Sequence, residues 1–129
     1  MSRFVPAGVV ACLIAGVVCA ADHTTDSLDT VKKNVAGGKA VLVDVREAGE
    51  WKDGHLKTAK HLALSDLKAG VPADQLKKTI PPGKVVYLHC ASGGRCKTAA
   101  DILKKQGYDA RPLKDGYNKL VEAGFEKAK

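Results

Sequence analysis

The sequence lacks several features that mark large classes of proteins. It has no internal repeat, no low-complexity segment and no run of basic residues, because its 21 Lys and Arg residues are scattered singly or in pairs. A basic nucleic-acid-binding arm is therefore excluded. The length of 129 residues leaves little room for a second globular domain. The net charge of +7 favours an anionic substrate, with a solvated basic surface as the alternative.

A long hydrophobic run is also missing. The apolar stretch from Val9 to Val18 is too short to cross a bilayer. It follows one charged residue, Arg3, and precedes the small residues Cys19 and Ala20. This pattern predicts a secretory signal over residues 1–20, a polar lead-in over residues 21–26 and one domain over residues 27–129. We expect an exported, periplasmic protein with no membrane contact after cleavage; a retained N-terminal helix or anchor is the alternative.

Cysteine is scarce in the predicted mature chain. Cys12 and Cys19 lie within the predicted signal, which leaves Cys90 and Cys96. Two cysteines do not make a disulfide-stabilised scaffold. They are either a bridging pair or include a thiol that carries chemistry.

Hydrophobic patterning predicts alternating strands and helices. Two continuous apolar runs, residues 40–45 and 85–88, are typical of central strands in a parallel sheet that is covered on both faces. Short strands are predicted at residues 61–64 and 109–113. Helical spacing of apolar residues predicts helices at Leu28 to Val35, Cys96 to Leu103 and Tyr117 to Phe125. A small helix is predicted over residues 72–80, and a brief helix or turn over residues 46–54. The fold class is therefore α/β, with a central, mostly parallel sheet flanked by helices.

The second central strand leads into the most informative segment of the chain. Cys90 is followed by the residues Ala91, Ser92, Gly93, Gly94 and Arg95, and then by a predicted helix. Adjacent glycines allow successive backbone N–H groups to turn inward, and the helix adds the positive end of its dipole. Such an anion cradle, with a nearby arginine, lowers the pKa of a central thiol. Cys90 is therefore a candidate nucleophile; a buried structural cysteine is the alternative.

Two motifs resemble those of the single-domain rhodaneses, or thiosulfate sulfurtransferases, and in particular their exported phage-shock-type members. The first runs from Val43 to Trp51 and continues through Asp53-Gly54-His55-Leu56, matching D-x-R, E-[FYW] and G-H-[IL]. The second is Cys90-x-x-Gly93-x-Arg95, which matches the active-site loop of the family. The resemblance covers residues 27 to 126 and implies the three-layer rhodanese fold.

The resemblance also implies a mechanism. Cys90 would accept a sulfane sulfur as a persulfide, the N–H groups of residues 91–95 would hold it, and Arg95 would orient the small anionic donor. The acceptor would be cyanide or a thiol, a protein acceptor being possible, and no metal or organic cofactor would be required.

The upstream motif is expected to support structure. We expect Arg46 to pair with Glu50, and Asp44 and His55 to fix neighbouring loops by hydrogen bonds. Trp51 is expected to fill the core.

Three rival functions follow from the same residues. Phosphatases and arsenate reductases use a similar loop between cysteine and arginine, but their loop is one residue longer. A redox-sensing or sulfur-delivery module would use Cys90 with Cys96 as a resolving thiol, whereas helical spacing makes Cys96 a packing residue. A metal site at His89, Cys90 and Cys96 is disfavoured, because neighbouring side chains at a strand end point to opposite faces.

Overall fold

The computed structural model describes residues 21–129, and this part of the chain contains four strands and six helices. The strands are β1 (Ala40–Asp44), β2 (Ala59–His61), β3 (Val85–His89) and β4 (Asp109–Pro112). The helices are α1 (Leu28–Ala36), α2 (Ala48–Asp53), α3 (Leu64–Ala69), α4 (Ala73–Thr79), α5 (Arg95–Lys105) and α6 (Tyr117–Glu122). This alternation confirms the predicted α/β class.

The four strands form one parallel sheet in the order β2-β1-β3-β4. The predicted central strands β1 and β3 are neighbours, and Asp44 lies opposite His89 in their register. The polar segments that follow these two strands therefore meet at the same edge of the sheet. This carboxyl edge is where open α/β sheets bind their ligands.

Helices cover both faces of the sheet. One face packs against α3, α4 and α5, and its buried side chains include Val43, Val86, Leu88, Leu67, Leu76 and Leu103. The other face packs against α1 and α6, and its buried side chains include Leu42, Tyr87, Val31 and Leu120. Alternate residues of β1 and β3 point to opposite faces, so continuous apolar strands are buried on both sides. The result is the expected three-layer arrangement.

Local signals define the helices that frame the site. Ser27 caps α1, because its side chain accepts a hydrogen bond from the Thr30 N–H at 3.2 Å. Helix α5 begins at Arg95, directly after the cysteine loop. All four residues of its predicted apolar face are fully buried: Cys96, Ala99, Ala100 and Leu103. Small side chains on this face allow close packing of α5 on the sheet.

One helix was not predicted. The sequence analysis expected a strand over residues 61–64, whereas β2 ends at His61 and α3 begins at Leu64. Leu64 and Leu67 are buried three residues apart, but a six-residue helix offers too few positions for this spacing to stand out. Between residues 21 and 129, no helix is long and apolar enough to cross a membrane. The predicted signal segment lies outside the described residues.

Candidate active site

Cys90 lies immediately after β3, with β1 on one side of that strand and β4 on the other. The residue is fully buried, and its thiol is free. Its carbonyl oxygen accepts a hydrogen bond from the Tyr117 N–H at 2.9 Å, which ties the site to the start of α6. The predicted nucleophile thus sits at the middle of the carboxyl edge of the sheet.

The loop after Cys90 turns backbone donors toward the sulfur. The Gly93 N–H donates to Cys90 Sγ at 3.0 Å. Residues 91–94 then lead directly into α5, so the positive end of its dipole lies beside the same sulfur. An anionic sulfur is the species that such a loop stabilises.

The surroundings make Cys90 acidic. The neighbouring Cys96 thiol lowers the pKa of Cys90 most, followed by the backbone N–H groups of Cys96, Ser92 and Gly93, so that this pKa falls to about 5. Burial acts in the opposite direction but is outweighed. Cys90 is therefore a thiolate at neutral pH, the form that acts as a nucleophile.

Cys96 has the opposite environment. It is fully buried, and its Sγ donates to the carbonyl oxygens of Gly93 and Leu113, each at 3.3 Å. The neighbouring Cys90 and burial raise the pKa of Cys96 above its ordinary value. Carbonyl oxygens accept a hydrogen bond from a thiol and repel a thiolate, so the two cysteines differ in protonation state. Cys90 carries the charge and Cys96 keeps its proton.

Two glycines allow the loop to close. Gly93 has φ +93°, and a Cβ there would lie 2.7 Å from the Lys114 carbonyl oxygen. At Gly116 a Cβ would overlap the carbonyl oxygen of Ala91. Gly116 lies in the turn between β4 and α6. In the structure this turn covers the cysteine loop, and only glycine permits the close approach.

The Arg95 guanidinium is paired with the carboxylate of Glu50. Its Nη1 and Nη2 donate to the two carboxylate oxygens of Glu50 at 2.7 and 2.9 Å, and the side chains are 34% and 37% exposed. This two-fold hydrogen bond is the main reason that the pKa of Glu50 falls to about 2. The expected pairing of Arg46 with Glu50 is therefore wrong. Glu50 instead links the upstream motif to the cysteine loop.

Arg46 pairs with the carboxylate two residues before it. Its Nε donates to both oxygens of Asp44 at 3.1 Å, and its Nη2 donates to Asp44 Oδ2 at 2.9 Å and to the Gly54 carbonyl oxygen at 2.6 Å. Asp44 is fully buried and Arg46 is 5% exposed. The guanidinium also lies 4.2 Å from the centre of the Tyr117 ring. These contacts occupy the Arg46 guanidinium and explain why Glu50 binds elsewhere.

The upstream motif places three aromatic rings together. His55 donates through Nδ1 to the Trp51 carbonyl oxygen at 2.8 Å, and its ring stacks on Trp51 with centroids 3.5 Å apart. The His61 ring also stacks on Trp51 at 4.8 Å. Trp51 is only partly buried and belongs to neither core cluster, so the expectation that it fills the core is wrong. It serves as a stacking surface for two histidines.

The His89 ring and the Cys90 side chain lie toward opposite faces of the sheet. His89 is fully buried, and burial lowers its pKa, so the ring is neutral. Its ring faces Tyr117, which packs with the α1 and α6 side, whereas Cys90 packs with the α5 side. Within residues 21–129 no three His, Cys, Asp or Glu side chains are grouped as metal ligands.

The comparison with protein families settles which fold family this is. A model described as the rhodanese-like domain matches residues 27–123. The chain belongs to this family. Both motifs of the sequence analysis lie within the matched range, including the loop from Cys90 to Arg95.

Several relatives of this rhodanese-like domain are named as sulfurtransferases. The chain is 35% identical over 86 residues to a putative mitochondrial thiosulfate sulfurtransferase of Schizosaccharomyces pombe, which is 60% of this chain and 61% of the relative. It is 40% identical over 82 residues to the uncharacterized protein YqhL of Bacillus subtilis, which is 63% of this chain and 60% of the relative. The matches thus span about three fifths of the length of these curated relatives.

Solved structures support the same fold. The single-domain sulfurtransferase RDL2 of Saccharomyces cerevisiae has a TM-score of 0.62 at 28% identity, covering 78% of this chain and 94% of that one. The human single-domain sulfurtransferase TSTD1 has a TM-score of 0.63 at 24% identity, covering 78% and 97%. The rhodanese-like α/β fold is therefore shown by both sequence and structure.

Outside the matched range, the structure adds a residue that the sequence analysis left in the polar lead-in. The Nε2 atom of His23 lies 2.7 Å from the Gly93 carbonyl oxygen. A cavity of about 620 Å³ adjoins this contact, between the cysteine loop and the turn that leads into α6. Its lining includes His23, Ala91, Ser92, Lys114, Gly116 and Lys119. No sequence signal marks His23, because a lone histidine in a polar segment has no period or motif.

Proposed function

We propose that the protein is a sulfurtransferase that carries a sulfane sulfur as a persulfide on Cys90. The observation that carries the proposal is the Cys90 sulfur at the end of β3, which accepts a hydrogen bond from the Gly93 N–H at 3.0 Å; the lowered pKa of Cys90 agrees with it. Family membership and relatives named as sulfurtransferases support sulfur transfer in general. Thiosulfate or a related anionic sulfane-sulfur compound is the proposed donor, and cyanide or a thiol is the proposed acceptor.

The proposed reaction has two displacements. The Cys90 thiolate attacks the outer sulfur of thiosulfate, a new S–S bond forms at Cys90, and the old S–S bond breaks with its electron pair leaving on sulfite. A cyanide or thiolate acceptor then attacks the outer sulfur of the persulfide. The electron pair of that S–S bond returns to Cys90 as the thiolate. No net oxidation or reduction is needed, and no cofactor takes part.

The loop residues have distinct proposed roles. The backbone N–H groups of residues 91–95 hold the anionic persulfide, as the Gly93 N–H already does for the thiolate. Arg95 orients the anionic donor with its guanidinium, while Glu50 fixes the direction of that guanidinium. Asp44, Arg46 and His55 support the neighbouring backbone.

Access to the sulfur is part of the proposal. Cys90 is fully buried, and the cavity of about 620 Å³ is lined by Ala91 and Ser92 rather than by the sulfur itself. A donor therefore reaches Cys90 only when residues 91–94 shift. The cavity lies beside these residues, so it is the side from which we expect the donor to enter.

Intact-mass measurement tests the function directly. The reduced protein is incubated with thiosulfate, and we expect an adduct of one sulfur atom that peptide mapping assigns to Cys90. Cyanide should remove the adduct and release thiocyanate. A Cys90→Ser variant serves as the control and should gain no sulfur. A wild-type protein that gains no sulfur from thiosulfate or from an organic persulfide would overturn the proposal.

A second candidate function rests on the proximity of the two cysteines. Cys90 accepts from the N–H of Gly93 and Cys96 donates to the carbonyl oxygen of the same residue, so a second thiol lies near the nucleophile, as a redox-sensing or sulfur-delivery module requires. In that case mild oxidation would form a Cys90–Cys96 disulfide. Counting free thiols after mild oxidant distinguishes the two functions: two remaining thiols favour turnover of sulfur, and the loss of both, reversed by a dithiol, favours the switch.

We also propose that the chain is exported as a phage-shock-type member of the family. The support is the sequence pattern of residues 1–20, with its short apolar stretch and the small residues before Ala21. N-terminal sequencing of the protein from its native cell should begin at Ala21. A first residue of Met1 would contradict export by this signal.

A further inference from the structure

The segment before α1 is fixed against the carboxyl edge of the sheet. The Thr24 N–H donates to the Pro112 carbonyl oxygen at 2.8 Å. Asp26 Oδ2 accepts from the Tyr87 hydroxyl at 2.7 Å and from Arg111 Nη1 at 2.9 Å. These contacts tie residues 24 and 26 to β3 and β4. Because His23 is next to this anchored stretch, its position beside the cysteine loop is set by the fold.

His23 contacts the residue that holds the nucleophile. A carbonyl oxygen can only accept, so His23 Nε2 carries the proton and donates to the Gly93 oxygen at 2.7 Å. The N–H of the same Gly93 donates to Cys90 Sγ at 3.0 Å. Gly93 has φ +93° and no side chain to restrain its two peptide groups. The two peptide groups share the Gly93 Cα, so a hydrogen bond that holds the carbonyl reduces the range of conformations open to the N–H.

Family membership does not account for this contact. The family match begins at residue 27, four residues after His23. The ring also lines the cavity beside the cysteine loop, so it stands at the side from which a donor would approach. The contact thus comes from a residue outside the range matched by the family model.

We propose that His23 is a positioning residue for Cys90, whose hydrogen bond to the Gly93 carbonyl holds the loop with the Gly93 N–H directed at the sulfur. This inference rests on the proposed function for its role in sulfur transfer. The contact itself acts on the Cys90 thiolate, whatever the substrate.

The test compares three variants of the full chain. His23→Ala removes the donor, His23→Gln places an amide N–H where Nε2 lies, and Thr25→Ala changes an exposed residue of the same segment. The main measurement is the rate of Cys90 alkylation by iodoacetamide against pH, with peptide mapping to separate Cys90 from Cys96. Loss of one restraining hydrogen bond should raise the midpoint by roughly 0.5–1 pH unit in His23→Ala. His23→Gln should restore the wild-type midpoint, and Thr25→Ala should not move it.

A second measurement separates this inference from the proposed function. In His23→Ala the rate of persulfide formation should fall severalfold, while thermal unfolding stays near that of Thr25→Ala. An unchanged alkylation midpoint in His23→Ala, or an equal shift in Thr25→Ala, would overturn the role of His23 even if sulfur transfer is found. If the wild-type protein gains no sulfur but the midpoint shifts as expected, the positioning role stands and the proposed function fails.

Discussion

Two polar segments follow neighbouring strands of the sheet, and they satisfy buried polar and charged groups in different ways. After β1, the charged side chains of Asp44 and Arg46 bind each other and the Gly54 carbonyl oxygen. After β3, backbone N–H groups take the place of side chains and point at the sulfur of Cys90. Asp44 and His89 are partners in the sheet register, so the two segments begin side by side.

The difference bears on which segment binds a ligand. In the first segment the buried charges of Asp44 and Arg46 pair with each other. In the second, a backbone N–H faces the sulfur of Cys90, and we propose that this loop also holds the larger persulfide anion. The pair of Arg95 with Glu50 joins the segments, because Glu50 belongs to the first motif and Arg95 to the second.

The largest expected effect on this comparison of the two segments comes from removing the Cys90 thiolate. We expect Cys90→Ser to reduce sulfur transfer to background, because a serine hydroxyl stays protonated where the thiol ionises. Stability should change little by comparison, and circular dichroism with urea unfolding checks this. Cys96→Ser, which keeps a donor beside Cys90, should retain sulfur transfer. Residual turnover in Cys90→Ser would contradict the assignment of the nucleophile.

Breaking the first segment should affect stability more than chemistry. Asp44→Ala leaves the guanidinium of Arg46 buried without its carboxylate, and such a loss costs about 3–5 kcal/mol. Urea unfolding measures the difference. The matched control is Asp53→Ala, since Asp53 is exposed at the end of α2, and its effect should stay within about 0.5 kcal/mol. Equal effects of the two substitutions would mean that the buried Asp44–Arg46 pair contributes no more to the free energy of unfolding than an exposed carboxylate does.

The pair of Arg95 with Glu50 joins the two segments, and removing it should weaken binding of the anionic sulfur donor. Arg95→Ala removes a charge-assisted contact of about 1.5–3 kcal/mol, so the KM for an anionic donor should rise by about tenfold or more, with a smaller change in kcat. Arg95→Lys keeps the charge but loses the planar guanidinium, so its KM should lie between those of the wild-type protein and Arg95→Ala. Steady-state kinetics with thiosulfate measures this. An unchanged KM would make Arg95 a structural partner of Glu50 only.

The neighbouring Cys96 thiol should set part of the acidity of Cys90. The alkylation rate of Cys90 in the wild-type protein should rise through a midpoint near pH 5 and level off above it, because the thiolate is the reactive form. Cys96→Ala removes the largest contribution, and the midpoint should move upward by about one unit. Cys96→Ser should move it less. A midpoint that is the same in all three proteins would assign the acidity to the backbone alone.

The smallest expected effect is a loss of folding stability at acidic pH. The pKa of Glu50 is lowered from 4.5 to about 2, so its pair with Arg95 stabilises the fold fully above pH 4.5 and loses this contribution as the pH falls toward 2. Both side chains are about one third exposed, so the contribution should stay below about 1 kcal/mol. Urea unfolding of Glu50→Gln and wild type should differ at pH 7 and converge near pH 2. A difference that persists at pH 2 would point to another cause.

Some of this architecture was predictable because its signals are local. The apolar runs of β1 and β3 and the buried face of α5 follow from the order of residues alone, and all three were confirmed. The six-residue helix α3 was missed because it spans fewer than two turns. Trp51 was wrongly expected in the core, since its hydrophobicity does not reveal that His55 and His61 stack on it.

By itself the sequence determined the α/β class, the nucleophile candidate and the loop with its glycines. These depend on residue type, on spacing and on glycine at a turn. Only the tertiary structure decided which acid pairs with Arg46 and which with Arg95, that Gly116 closes over Ala91, and that His23 reaches Gly93. The partners in these contacts come from different strands, turns and helices. Charge and polarity make several pairings chemically acceptable, and the packing of the sheet and helices selects one of them.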